Sequence, residues 1–122
     1  MGHTFVEAEV GNLPKTKIKR IRLLADSGAS FMTLSPNLSA ELGIEPVTKI
    51  DVTLADGRKI NADLGFAYVK IADRETISQT LIIDSPEPLL GSFTLQMLGL
   101  LIDPVKEEVR PSRNFATGLL TL

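Results

Sequence analysis

Short runs of alternating apolar and polar residues, separated by turn residues, recur along this chain and predict strands far more often than helices. Between residues 4 and 10, Val6, Ala8 and Val10 fall on one side and Phe5, Glu7 and Glu9 on the other, as in a half-buried strand. Gly11-Asn12-Leu13-Pro14 turns the chain, and Ile18, Ile21 and Leu23 lead a second strand toward Asp26, with the adjacent Lys19-Arg20 suggesting a bulge. A third strand covers residues 31 to 34. Ser35-Pro36 then reads as an N-cap followed by proline at the first helical position, and Gly43 ends the short helix this implies. Ile50, Val52 and Leu54 alternate before Ala55-Asp56-Gly57-Arg58, and Ile60, Ala62 and Leu64 alternate after it, which predicts a hairpin tipped by Asp56-Gly57. Past Gly65 the apolar phase shifts to Ala67, Val69 and Ile71, suggesting a bulge or bend at that glycine.

In the last part of the chain, Asp73-Arg74-Glu75 reads as a turn, and Leu81-Ile82-Ile83 reads as a strand buried on both faces. Ser92 begins a second short helix ended by Gly99, and Leu100-Leu101-Ile102 is a further strand stopped by Asp103-Pro104, with residues 105 to 109 placed to pair back on it. There is no internal repeat, low-complexity tract or linker.

Composition narrows the class. With 122 residues, 43% of them hydrophobic, the expectation is one globular domain with a real core. A net charge of -2 gives no electrostatic case for nucleic acid as a partner. No cysteine is present, so disulfides, thiolate catalysis and zinc-thiolate sites are excluded. The first residues lack the basic-then-apolar order of a signal peptide, and the most apolar stretch, residues 89 to 102, carries Ser92, Thr94 and Gln96 and is too short to span a bilayer; a soluble, cytoplasmic protein with no membrane partner is expected. Lys15, Lys17, Lys19, Arg20 and Arg22 crowd into one segment and are read as a solvated strand face, and His3, near a terminus with no visible partner, as solvent-exposed.

The residues most suggestive of chemistry are Asp26-Ser27-Gly28, set between Leu23-Leu24-Ala25 and Ala29-Ser30-Phe31-Met32-Thr33-Leu34. Alone, such a tripeptide is an ordinary turn, because carboxylate and hydroxyl both bond nearby backbone amides. Here it interrupts apolar sequence. An aspartate among residues that should be buried is costly unless hydrogen-bonded, paired or functional.

Three elements taken in order resemble the retropepsin-like aspartic proteases, whose half-size subunits pair to form one active site. In that family a strand ends in hydrophobic residues and Asp-Thr/Ser-Gly-Ala, a flap hairpin follows, and a buried strand runs into two aliphatic residues and a glycine that begins the helix. This chain supplies Leu23-Leu24-Ala25-Asp26-Ser27-Gly28-Ala29, the hairpin tipped by Asp56-Gly57, and Leu81-Ile82-Ile83 leading to Leu89-Leu90-Gly91. The resemblance covers most of the chain and implies an all-β fold: a small closed, barrel-like aspartic protease domain over residues 1–122 with a flap and one or two short helices, homodimeric.

The resemblance also implies roles. Asp26 would be the catalytic carboxylate, Ser27 would brace the loop of the opposite subunit, and Gly28 would let the backbone approach closely. Ala29 and Ser30 would lie along the bound peptide, with Ser30 standing where retroviral members commonly carry aspartate. The hairpin around Ala55, Asp56 and Gly57 would close over the substrate, while Leu89, Leu90 and Gly91 would support the catalytic loops. Tyr68 lies too far from the tip for the flap-tyrosine role of two-lobed relatives. Since Asp51-Val52-Thr53, Asp63-Leu64-Gly65 and Asp84-Ser85-Pro86 all lack the motif, the second carboxylate must be Asp26 of another copy.

Two function classes remain open at this point: an aspartic endopeptidase acting on peptide or protein substrates without metal or cofactor, and a catalytically silent dimeric peptide-binding or scaffold module of the same fold. The apolar tail, residues 115 to 122, is read either as a core strand or as a dimer-interface strand.

Overall fold

A computed structural model of the chain describes residues 3–112. The tail at 115 to 122, with its two expected placements, lies outside the described residues. The architecture is mostly β: β1 (Thr4–Gly11), β2 (Ile18–Ala25), β3 (Met32–Leu34), α1 (Pro36–Glu41), β4 (Thr48–Thr53), β5 (Lys59–Ile71), β6 (Arg74–Ile82), β7 (Leu89–Leu90), α2 (Ser92–Leu98), β8 (Leu100–Asp103) and β9 (Glu108–Pro111). Seven strands form one sheet in the order β1-β2-β7-β3-β6-β5-β4, and β8 and β9 make a separate hairpin.

The short β7 does most to position the site. It runs parallel to β2, with Leu24 opposite Leu89 and Ala25 opposite Leu90, and antiparallel to β3 at Thr33. A strand distant in sequence is thereby wedged between the two strands that flank Asp26. β1 also pairs with β5, but only from Glu9 to Gly11, because the first half of β5 is taken by β4. The edge strand β1 thus meets β5, the next-to-last strand, along three residues, leaving β4 outside, and the arrangement is not a regular closed barrel.

β5 explains the apolar phase shift at Gly65. Its ladder with β6 runs without interruption from Asp63 opposite Ile82 to Ile71 opposite Arg74, so the expected bulge is absent. What changes is the buried face. Ala62 and Leu64 join Leu81 in a small cluster under β4, while Ala67, Val69 and Ile71 enter the main core with Val10, Leu23, Met32, Leu34, Leu90 and Leu98. Leu81 and Ile82 face these two clusters in turn, which makes that segment apolar on both sides. At Gly65 a side chain is barred, since an added Cβ would lie 2.7 Å from the carbonyl oxygen of Glu45.

The Lys19-Arg20 bulge is also absent: β1 and β2 pair residue for residue from Thr4 opposite Ala25 to Gly11 opposite Ile18. The cations there are solvent-exposed but on opposite faces of β2: Lys19, on the side of Leu23, pairs with Glu41 at 2.9 Å, and Arg22, on the other side, stacks 3.7 Å over the Phe5 ring. The β5–β6 turn is tighter than expected. It uses only Ala72 and Asp73, with Ala72 at φ 56°, and Arg74 and Glu75 already belong to the strand.

Both helices follow their caps. Ser35 Oγ accepts from the Leu38 amide, Pro36 starts α1, and Gly43 follows at φ 69°. α2 ends on Gly99 at φ 66°. Arg74, almost fully buried, donates through Nη1 to the carbonyls of Leu98 and Gly99 at 3.0 and 2.8 Å, tying the end of α2 to β6. Among the described residues no helix is long and apolar enough to cross a membrane.

Candidate active site

Asp26 follows directly on β2 and is held by backbone on both sides. Its amide donates to the Leu90 carbonyl at 3.0 Å, its carbonyl accepts from the Ala29 amide, and its Oδ1 accepts from the Gly28 amide at 2.8 Å. The Asp-Ser-Gly turn therefore carries its own carboxylate anchor, an Asx-type bond that fixes the side chain. A Cβ on Gly28 would stand 3.2 Å from that same Oδ1, tight enough that the carboxylate would have to yield.

The loop is clamped from behind by the start of α2. The Ser92 amide donates to Ala29 O at 2.7 Å, and the Phe93 amide to Ser30 O at 3.0 Å. Such proximity is possible because position 91 carries no side chain: a Cβ there would lie 2.5 Å from Phe31 O and 2.6 Å from Ser30 O. Gly91 and Leu90 are buried, and their place is behind the loop, not in front of it.

In front lies a cleft of about 480 Å³, with Asp26, Gly28, Ala29 and Ser30 on one side and Val52, Thr53, Leu54 and Ala55 of the β4–β5 hairpin on the other. Phe31, Leu81, Ile83 and Leu89 give it an apolar floor, and Asp84, Ser85 and Pro86 form one rim. Asp26 is half-buried, so its carboxylate is supported by the fold while still open to solvent.

The residues singled out from sequence thus divide. Asp26, Gly28, Ala29, Ser30, Ala55 and Leu89 converge on the cleft. Ser27 is exposed and looks toward a neighbouring surface formed with Ile102 and Pro104. Asp56 and Gly57 sit at the hairpin tip outside the cleft lining. That tip is ordered by its own contacts: Leu54 N donates to Arg58 O at 2.8 Å, Asp56 Oδ1 accepts from the Arg58 amide, and the Arg58 guanidinium lies 2.7 Å from Oδ2. The Arg58 amide and then its guanidinium hold the Asp56 carboxyl below its ordinary range. Gly57, at φ 89°, supplies the left-handed residue that the turn requires.

Sequence reasoning missed the rim at Asp84, Ser85 and Pro86 and the floor residues Phe31 and Thr33. The signal available for the rim was its proline-flanked polar run between a buried strand and Leu89. Among the described residues, no three His, Cys, Asp or Glu side chains come together as a metal-binding group. The chemistry this arrangement offers is a fixed, solvent-accessible carboxylate beside an apolar trough walled by the Asp26 loop on one side and the β4–β5 hairpin on the other, suited to an extended polypeptide.

Compared with known proteins, residues 6–100 match the aspartyl protease family. No curated protein sequence matches the chain.

Proposed function

Since the chain belongs to the retropepsin-like aspartyl proteases, we propose that it is an endopeptidase whose acid–base pair consists of two Asp26 carboxylates, one from each protomer of a homodimer. One observation carries this reading: the Asp26 carboxylate, tied to the Gly28 amide, opens onto a cleft whose opposite wall is a hairpin. The exposure of Ser27 on the adjoining face supports the dimer, because its hydroxyl is free to brace the loop of a partner across a two-fold axis.

In the proposed reaction the two carboxylates share one proton, a property known for aspartic proteases as a class and not deduced from this chain. The ionised one takes a proton from water as the water oxygen bonds to the peptide carbonyl carbon, and the other gives its proton to the carbonyl oxygen. Collapse of the tetrahedral intermediate breaks the C–N bond, with the amine leaving protonated. The acyl carbon gains OH, the nitrogen gains H, and the pair returns to its single proton. Gly28, Ala29 and Ser30 would present backbone groups to the substrate, Ala55 with Thr53 and Leu54 would cover it, and Leu89, Leu90 and Gly91 would hold the loop in place. Asp56 and Gly57 would contribute by shaping and releasing the tip.

The test is mass-spectrometric profiling of a diverse peptide library, from acidic to neutral pH and at high protein concentration, with wild type and Asp26→Asn in parallel. Cuts made by wild type alone are expected. Identical profiles at every pH, with a dimer confirmed in solution, would replace the peptidase by the silent peptide-binding module.

A further inference from the structure

The sheet face that floors the cleft continues beyond it. Along β6 side chains alternate, so Ile77, Gln79 and Leu81, with Ile83 just past the strand, share one side. Phe66, opposite Gln79, and Leu64, opposite Leu81, share it from β5. Leu81 and Ile83 belong to the cleft. Phe66, Ile77 and Gln79, with Phe93, Thr94 and Met97 of α2, line a second groove of about 330 Å³. The Phe31 ring in the cleft meets the Phe93 ring in the groove edge to face, centroids 5.6 Å apart, so apolar surface links the two.

Three large side chains stand open in this groove, Ile77 at 47%, Phe93 at 49% and Met97 at 54% exposure, and no charged residue lines it. Its polar floor is already satisfied, with Ser78 Oγ and Thr94 Oγ1 2.6 Å apart. The groove therefore offers a ligand mainly apolar contact, with the exposed Gln79 amide as its one polar side chain beyond that satisfied pair, and a patch of this kind left in water marks an interaction site.

We infer that the groove is a distal subsite, taking apolar side chains of the same polypeptide that lies in the cleft; the inference rests on the peptidase reading above. Continuity through Phe31 and Phe93 selects the substrate as occupant. From Ile83 in the cleft the face reaches Gln79 at about 13 Å and Ile77 at about 20 Å, at roughly 3.3 Å per residue, so an extended chain reaches the groove about four to six residues beyond the part lying over Ile83. Selection would then depend on an apolar segment well outside the residues flanking the scissile bond.

The test uses labelled peptides sharing one core taken from the library, extended at either end by Leu-Phe-Leu or by Ser-Gly-Ser at that distance. Binding to the Asp26→Asn protein is read by fluorescence anisotropy, and cleavage by wild type is read in parallel. The apolar extension should tighten binding and raise kcat/KM about tenfold, and Met97→Glu, or the milder Ile77→Ser, should remove that gain while core-only peptides behave as before. Equal behaviour of the two extensions, or a gain that survives both substitutions, overturns the subsite. If no peptide is cut but the gain in affinity persists and Met97→Glu removes it, the peptidase reading fails and the groove stands. If Met97→Glu alters sedimentation but not peptide binding, the groove belongs to a second copy of the chain and the subsite is overturned.

Discussion

Replacing Gly91 by alanine adds one methyl group at the most crowded point behind the candidate catalytic loop. The new Cβ would meet Phe31 O at 2.5 Å, Ser30 O at 2.6 Å and Ser30 C at 2.7 Å, against an ordinary contact of 3.4–4 Å. All three are backbone atoms, so no side chain can swing away. The backbone angles are φ -87° and ψ 174°, which alanine adopts freely, so the cost is steric and not conformational. Gly91 is also the N-cap of α2, a position where alanine is poorly tolerated. Overpacking of this kind costs about 1–3 kcal/mol, and the immobile neighbours favour the upper end. For a domain of this size that is a fall of about 10 °C in Tm. Relief by moving residues 30 and 31 would pull on the Ser92–Ala29 and Phe93–Ser30 bonds that hold the Asp26 loop, so peptide cleavage should fall more steeply than stability. Gly57→Ala is the control: nothing lies within 4 Å of its Cβ, and only the φ of 89° opposes it, at about 1 kcal/mol. Thermal denaturation of both variants decides the matter. A Gly91→Ala protein as stable as wild type, or no less stable than Gly57→Ala, would refute the reasoning.

Two further outcomes follow from contacts remote from the cleft. Arg74→Met keeps the apolar stem but removes the donor to Leu98 O and Gly99 O, and should destabilise by about 2 kcal/mol in urea unfolding; an unchanged midpoint would show that those carbonyls find water instead. Tyr68, the single tyrosine, donates to Glu75 Oε2 at 2.6 Å, and this bond, burial and the charges of Glu75 and Glu9 push its phenol from 10.0 up to about 12. Because the folded phenol ionises later than the unfolded one, its contribution to stability holds up to about pH 10 and is lost between about pH 10 and 12. Phenolate absorbance should show the late titration, and Glu75→Gln should bring it back toward 10.0; a wild-type midpoint near 10.0 would contradict the assignment.

Much of this was legible because local chemistry and global fold agree. Ser35-Pro36 with Gly43 fixed α1, Asp56-Gly57 fixed the hairpin, and the Asp-Ser-Gly turn fell where an apolar strand ends. The misses share one cause, since each depends on which strand becomes a neighbour. The phase shift at Gly65 suggests a bulge or a bend, but the bulge is absent: alternation in one strand cannot reveal that its two halves face different clusters. Lys19-Arg20 looked irregular because a charged residue on the core side of β2 is explained only by its partner, Glu41 of α1, while Arg20 on the other side pairs with Glu7 of β1. The cleft's rim and floor were invisible for the same reason: Phe31, Asp84 and Pro86 meet only after β7 inserts between β2 and β3. Gly91 was placed as support, but its necessity becomes clear only from the carbonyls crowding it.

The central claim is that the catalytic pair is built from Asp26 of two copies, and subunit mixing tests it most directly. Asp26→Asn protein is added to a fixed amount of active wild type in the dimeric range, and cleavage is measured after subunits exchange. With an equal amount of mutant, half of the wild-type protomers become locked in mixed dimers and activity should fall to about half, continuing downward with further mutant. Activity that stays constant while mixed dimers demonstrably form would contradict the shared site and leave each Asp26 to act alone.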